Sequence, residues 1–292
     1  MITYYIVVPI LYLLSYLPTP VLYKLADVLA FVLRNVIGYR RQVVYTNLRK
    51  SFPHKTEAEI QQIAKESYTH LADRVIENIK CLTIKPDEYL KRCSFDPESL
   101  ALLKRLYDEH KDLVVMIAHT GAWEWSGYTA NKLNDYITYG VYSPVKNKRL
   151  NKLIVDTRAK TGMILISMRE TSAYFKTTYT ERTLHYFFTD QSPSNADNAY
   201  WTTFMHQDTG FFYGGARYAI KHNCVPVYVH ILQVKRGYYK IYVKVIKDDV
   251  SNTSPDEIVE GFANLLEEQL NNHPSDWLWS HKRWKRQRPA NK

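Results

Sequence analysis

The sequence predicts an α/β protein with a central mixed sheet flanked by helices, preceded by an apolar helical segment that anchors to a membrane. Three observations predict it. From residue 113 onward, short β-branched and aromatic runs alternate with stretches of helical spacing. One run, residues 113–118, is continuously apolar, as a strand buried on both faces requires. Residues 1–23 carry no charged side chain. The expected division is an anchor over 1–38 and an α/β domain over 39–292.

The N-terminal apolar segment is interrupted by Pro9, Pro18 and Pro20, and is short for an ideal spanning helix. It lacks the positive start and small-residue cleavage site of a secretory signal. A second apolar stretch, 21–37, contains Lys24 and Asp27. Together they read as an anchor that enters the membrane or lies in its interface; the alternative is a buried hairpin. Residues 29–56 then contain no acid but include Arg34, Arg40, Arg41, Arg49, Lys50 and Lys55. Positive charge after an apolar anchor belongs on the cytoplasmic side and attracts anionic lipid.

Residues 57–84 predict a long amphipathic helix with Ile60, Ile63, Ala64, Tyr68, Leu71, Val75 and Ile79 at helical spacing. After the 113–118 strand come an expected helix from Trp123, a strand at 139–142, a helix at 151–161 and a strand at 163–167. A helix over 173–184, a strand at 186–189 and a polar loop at 192–200 follow. A helix at 212–223, strands at 225–232 and 238–245, and a helix opened by Ser254-Pro255-Asp256-Glu257 complete the order.

The net charge of +10 suggests an anionic partner: acidic membrane, nucleic acid or an acidic protein. The N-terminal segment argues against the nucleic-acid reading. Cys81, Cys93 and Cys224 form no C-x-x-C pair, so neither a disulfide framework nor a zinc site is expected.

His119 is predicted at the carboxyl end of the 113–118 strand, where open α/β sheets place their ligands. Gly121 permits a sharp turn, and Glu124 falls in the following helix. A histidine accepts a proton near neutral pH, and a carboxylate can orient it. Five residues along one helix rotate by roughly 140°, so the pair works only across a turn. The same spacing recurs at His54/Glu59 and His185/Asp190, but only His119 has strand-turn-helix context. No G-x-S-x-G nucleophile elbow is present. Arg158, Arg169 and Arg217 are candidates for gripping phosphate, because arginine offers a forked donor set. Asp190 ends a strand at the same sheet edge as His119, where it either orients a catalytic group or caps a turn.

Several blocks together resemble the bacterial lipid A biosynthesis acyltransferases, the late lauroyl/myristoyl transferases of the lysophospholipid acyltransferase superfamily. They are Arg40-Arg41-Gln42-Val43-Val44-Tyr45-Thr46-Asn47-Leu48, Ser51-Phe52-Pro53, His119-Thr120-Gly121-Ala122-Trp123-Glu124, and Tyr142-Ser143-Pro144 through Asn147 and Arg158. Asp190-Gln191, Thr209-Gly210, the segment from Gly215 to Pro226-Val227, and the run Trp277-Leu278-Trp279-Ser280-His281-Lys282-Arg283-Trp284-Lys285 continue the likeness over nearly the whole chain. Ser143 stands where the family commonly has arginine.

The resemblance implies a membrane-associated O-acyltransferase of the bacterial inner membrane, on its cytoplasmic face, needing no cofactor or metal. His119, assisted by Glu124, would deprotonate an acceptor hydroxyl that attacks an acyl thioester directly. The donor would be acyl carrier protein or acyl-CoA, and the acceptor a lipid A precursor or related glycolipid. The family also includes mannoside acyltransferases, so the acceptor stays open. The basic tail, with Lys282, Arg283, Lys285, Arg286, Arg288 and Lys292, either steers an acidic carrier protein or sits on anionic headgroups.

Overall fold

The computed structural model describes residues 2–133 and 135–290. In chain order the elements are α1 (Ile2–Tyr16), α2 (Thr19–Phe31), a π-helical turn (Val32–Val36), α3 (Arg41–Ser51), α4 (Glu57–Lys80) and α5 (Pro86–Arg92). Then come β1 (Cys93–Phe95), α6 (Pro97–Asp108), β2 (Leu113–Ile117), α7 (Trp123–Leu133), β3 (Ile137–Tyr142), α8 (Lys148–Ala159), β4 (Ile164–Ser167) and α9 (Thr171–Tyr174). The chain continues through β5 (Thr183–Phe188), β6 (Ala199–Phe204), β7 (Gln207–Phe212), α10 (Gly214–His222), β8 (Val225–Lys235), β9 (Tyr238–Val245) and α11 (Pro255–Asn272).

Among the described residues, seven strands form one mixed sheet in the order β1-β9-β8-β2-β5-β3-β4. Strands β8, β2, β5, β3 and β4 run parallel; β9 turns back antiparallel on β8, and β1 follows β9. The fully apolar β2 lies between β8 and β5, which explains its burial on both faces. Its alternate residues divide the core. Val114 and Met116 join the layer built from α3, α4, α10 and α11, while Leu113, Val115 and Ile117 join the layer of α5, α6 and α7.

The helix at 173–184 is not formed. Only the four-residue α9 is helical there, and Thr183 and Leu184 already belong to β5, paired with Ile137 and Thr138. The β-branched Thr177, Thr178, Thr180 and Thr183 favour extended backbone, and Asp112 Oδ1 accepts from the Thr183 backbone N–H at 2.7 Å, fixing the strand start. The polar loop ends in β6, which pairs antiparallel with β7 in a separate hairpin. Its turn residues, Met205 and His206, take φ +50° and +62°. That left-handed turn usually carries Asn-Gly, so the sequence gives no hairpin signal.

The apolar N-terminus breaks at Pro18 into α1 and α2, and no described helix is long and apolar enough to cross a membrane. Leu22, Ala26 and Ala30 of α2 pack on Ala72 and Ile76 of α4. The opposite faces of α1, α2 and the π-turn leave Leu13, Val28, Phe31, Val36 and Ile37 exposed. The predicted helix over 57–84 is α4, capped by a reciprocal Thr56/Glu59 box. So Glu59, one of the three spaced acids, closes a helix start. Val75 lies outside the core face, which instead buries Asp73, Arg74 and Glu77.

Candidate active site

The carboxyl ends of β2 and β5 bring His119 and Asp190 together. Thr189 N–H donates to Ile117 carbonyl at 3.1 Å, extending the parallel pairing by one step. Asp190 then meets the start of the turn. Its Oδ2 accepts the His119 backbone N–H at 3.0 Å, and its Oδ1 lies 2.8 Å from His119 Nδ1. Trp277 Nε1 donates to Oδ2 at 2.8 Å. Burial would raise the Asp190 carboxyl, but the His119 charge and these donors outweigh it and hold it at about 2. A permanent carboxylate on Nδ1 places the neutral ring's proton there, leaving Nε2 as the nitrogen that can accept one. Gln191 Nε2 lies 3.2 Å from that nitrogen and donates to it. Trp123 and Phe188 pack the ring at centroid distances of 5.2 and 4.4 Å.

The turn depends on Gly121, at φ +54°; a Cβ there would come within 2.5 Å of the Ile231 carbonyl oxygen. Glu124 sits in the first turn of α7 as the spacing requires. Its carboxylate does not hold His119. It accepts a forked ion pair from Arg158 of α8, with Nε at 2.8 Å from Oε2 and Nη2 on Oε1. The carboxylate against the histidine comes from the neighbouring parallel strand, which sequence spacing cannot register. Arg158 therefore has an acidic partner. Arg169 is exposed after β4, and Arg217 is exposed on α10 with its guanidinium over Tyr213. His185 is buried in β5, and desolvation followed by the charge of His222 pushes its imidazole down to about 3.

A cavity of about 410 Å³ adjoins this cluster, within the range of about 300–1,000 Å³ of small-ligand sites. Trp123 and Phe188 are shared between its wall and the His119 ring. Leu82, Leu153, Ile154 and Met163 make most of the lining apolar, and Glu124 and Arg158 supply charge. Of the predicted phosphate-gripping arginines, Arg158 alone lines it.

The C-terminal segment closes the other side. Asn47 Nδ2 of α3 donates to the carbonyls of Trp279 and His281 at 2.9 and 3.0 Å. His281 Nε2 accepts the Ser192 N–H at 3.3 Å; burial, then the cations Arg283 and Lys285, push its imidazole down to about 4. Arg283 is not a surface cation of the basic tail: it is buried over Phe211, donates to the Gly210 carbonyl at 2.7 Å, and is pushed down to about 9 by desolvation. Arg288 pairs with Asp208 at 2.6 Å. Lys292 lies outside the described residues.

The family model described as bacterial lipid A biosynthesis acyltransferase matches residues 1–286. The chain belongs to that family. No curated protein matches it in sequence. As a lipid A biosynthesis acyltransferase it is an acyl-transfer enzyme, and its family's reaction joins an acyl donor to a lipid A precursor. Sequence reasoning singled out His119, Glu124 and Asp190, and passed over Arg74 and the hydrogen bond from Trp277 to Asp190. Arg74 is buried and donates to the carbonyls of Gly121, at 3.2 Å, and Asp276. A lone arginine within the apolar stripe of α4 was the available signal.

Proposed function

We propose that the acyltransferase carries a fatty acyl chain from a thioester, with acyl carrier protein the favoured donor over acyl-CoA, to a hydroxyl of a lipid A precursor or related glycolipid. The observation that carries this reading is the His119–Asp190 couple at the sheet edge beside an apolar cavity. His119 Nε2 removes the hydroxyl proton, and the oxygen attacks the thioester carbonyl. The tetrahedral oxyanion collapses, breaking the carbon–sulfur bond, and the leaving thiolate takes the proton back from the imidazolium. No covalent enzyme intermediate forms. The acyl chain lies in the cavity, where each buried methylene contributes about 0.8 kcal/mol. Glu124 and Arg158 act as one unit at the cavity wall, shaping the site beside His119 and supplying polar contacts to the headgroup. Arg169 and Arg217 lie outside this cavity wall, which favours Arg158 for that task.

The apolar faces of α1, α2 and the π-turn support a place in the interface of the inner membrane, on its cytoplasmic side. The test is direct. Purified full-length protein is incubated with acyl carrier thioester or acyl-CoA and a lipid A precursor, and products are read by mass spectrometry. An O-acylated product with release of free thiol is expected, and its loss in His119→Ala. Equal turnover by folded His119→Ala sinks the mechanism. A product formed from CoA thioester alone reassigns the donor.

A further inference from the structure

A second cavity lies away from the catalytic cluster, between the π-turn and the outer face of α3. It has a volume of about 650 Å³, and its lining includes Arg34, Arg41, Tyr45, Arg49 and the single acid Glu57. Arg41, Tyr45 and Arg49 are four residues apart along α3, so they share one face. The Tyr45 ring lies beneath two guanidiniums, Arg41 at 5.7 Å and Arg49 at 5.4 Å. Arg49 is occupied by a forked pair with Glu57. Among the described residues, Arg34 and Arg41 have no acidic partner; Arg34 donates from Nε to the Asn35 amide oxygen at 3.2 Å. Two forked cations without an ion-pair partner thus face one opening, whose one lining acid, Glu57, is held by Arg49.

The position of this opening supplies the second argument. Arg34 and Asn35 lie in the π-turn, directly between Phe31 and the Val36-Ile37 pair, which are 61 %, 69 % and 65 % exposed. A π-turn inserts an extra residue per turn and re-aims its neighbours. Charged forks at the rim of an exposed apolar face sit at the depth of lipid phosphates when that face enters a bilayer.

We propose that the cleft between the π-turn and α3 binds the phosphodiester of an anionic glycerophospholipid headgroup through Arg34 and Arg41. The proposal rests on the interfacial reading of the N-terminal helices. Flotation of full-length protein with phosphatidylcholine vesicles, with and without phosphatidylglycerol, tests it. Phosphatidylglycerol is expected to raise wild-type binding roughly tenfold, and Arg34→Gln/Arg41→Gln to remove that gain. Arg34→Lys/Arg41→Lys keeps the charge but not the fork, and it is expected to lose most of the gain; Lys50→Gln/Lys55→Gln, outside the cleft, is expected to keep it. Wild-type binding by the double-lysine variant overturns the site in favour of diffuse charge. Equal wild-type binding to both vesicles overturns the headgroup site while leaving the interfacial reading intact. Failure to bind either vesicle overturns both. Saturable heat on titrating inorganic phosphate without a bilayer assigns the cleft to a soluble anion and overturns the lipid source.

Discussion

Arg74 of α4 and Gly121 of the turn at His119 are joined through a guanidinium-to-carbonyl hydrogen bond of 3.2 Å, with both residues buried. The same guanidinium holds the carbonyl of Asp276, beside the tryptophan that clamps Asp190, and lies over the Trp123 ring that packs on His119. One side chain thus fixes both flanks of the histidine–carboxylate couple without touching either member.

Arg74→Lys is therefore expected to lower kcat about tenfold or more with little change in donor KM, because a point charge cannot span both carbonyls. Arg74→Met leaves two buried carbonyls unpaired, at about 1–3 kcal/mol each. Steady-state kinetics and thermal melts separate the two effects. A donor KM effect alone for Arg74→Lys would remove Arg74 from positioning.

Asp190→Asn keeps the shape but no longer imposes the proton on Nδ1. A fall in kcat of about 10²–10⁴ is expected, with His119→Ala and the double variant no worse than about that level. Asp190 also contributes stability. Its folded value of about 2 lies below the ordinary 3.8, so that contribution is present above pH 3.8 and is lost as pH falls through about 2.

Glu124→Gln and Arg158→Gln are each expected to lower turnover, and the double variant to lose little more than the worse single one. The forked pair makes them a unit. Additive losses on a logarithmic scale would mean that the two act separately.

Met163 lines the cavity proposed to take the acyl chain. A Cβ on Gly127 would come within 2.7 Å of Met163 Cε, and one on Gly140 within 2.7 Å of its sulfur. Both contacts are with a flexible side chain, so Gly127→Ala pushes the thioether into the lining. The expected result is a shift to acyl chains shorter by about one or two methylenes, each worth about 0.8 kcal/mol. Competition among thioesters of graded length, read by mass spectrometry, checks it. An unchanged profile excludes Met163 as the limit.

Glu77 offers a test in the neutral range. Burial pushes its carboxyl up to about 7, against the Tyr23 and Tyr239 hydroxyls that donate to it. The protonated form favours the fold. Its contribution is complete below pH 4.5 and is lost as pH rises through about 7. Wild-type Tm should fall across this window relative to Glu77→Gln; parallel curves would show that Glu77 does not titrate there.

The α/β class, β2 and the turn at His119 were legible because an apolar run, a glycine and the helical spacing from Trp123 are local signals. The last helix was equally plain from its Ser254 cap. The hairpin β6–β7 was hidden because Met205 and His206 occupy left-handed positions without the usual residues. Asp190 was legible at the right sheet edge, but its direct contact with His119 was not, for a different reason. Parallel strands β2 and β5 are far apart in the chain, and their register, Ile117 beside Phe188, is set by the sheet alone. Spacing thus selected the nearby Glu124, while the fold supplied Asp190. Arg74 was overlooked because counting apolar positions on α4 passes over a buried charge.

Trp277 donates to Asp190 across 87 residues of chain, and β2 gains its second neighbour only with β8. Synthesis runs in the other direction, from the apolar helices forward. A nascent chain thus offers its exposed apolar helices first and completes the surroundings of the His119–Asp190 couple almost last. Premature termination upstream of Trp277 is therefore expected to leave the exposed apolar helices in the product and the Asp190 carboxylate without its indole donor.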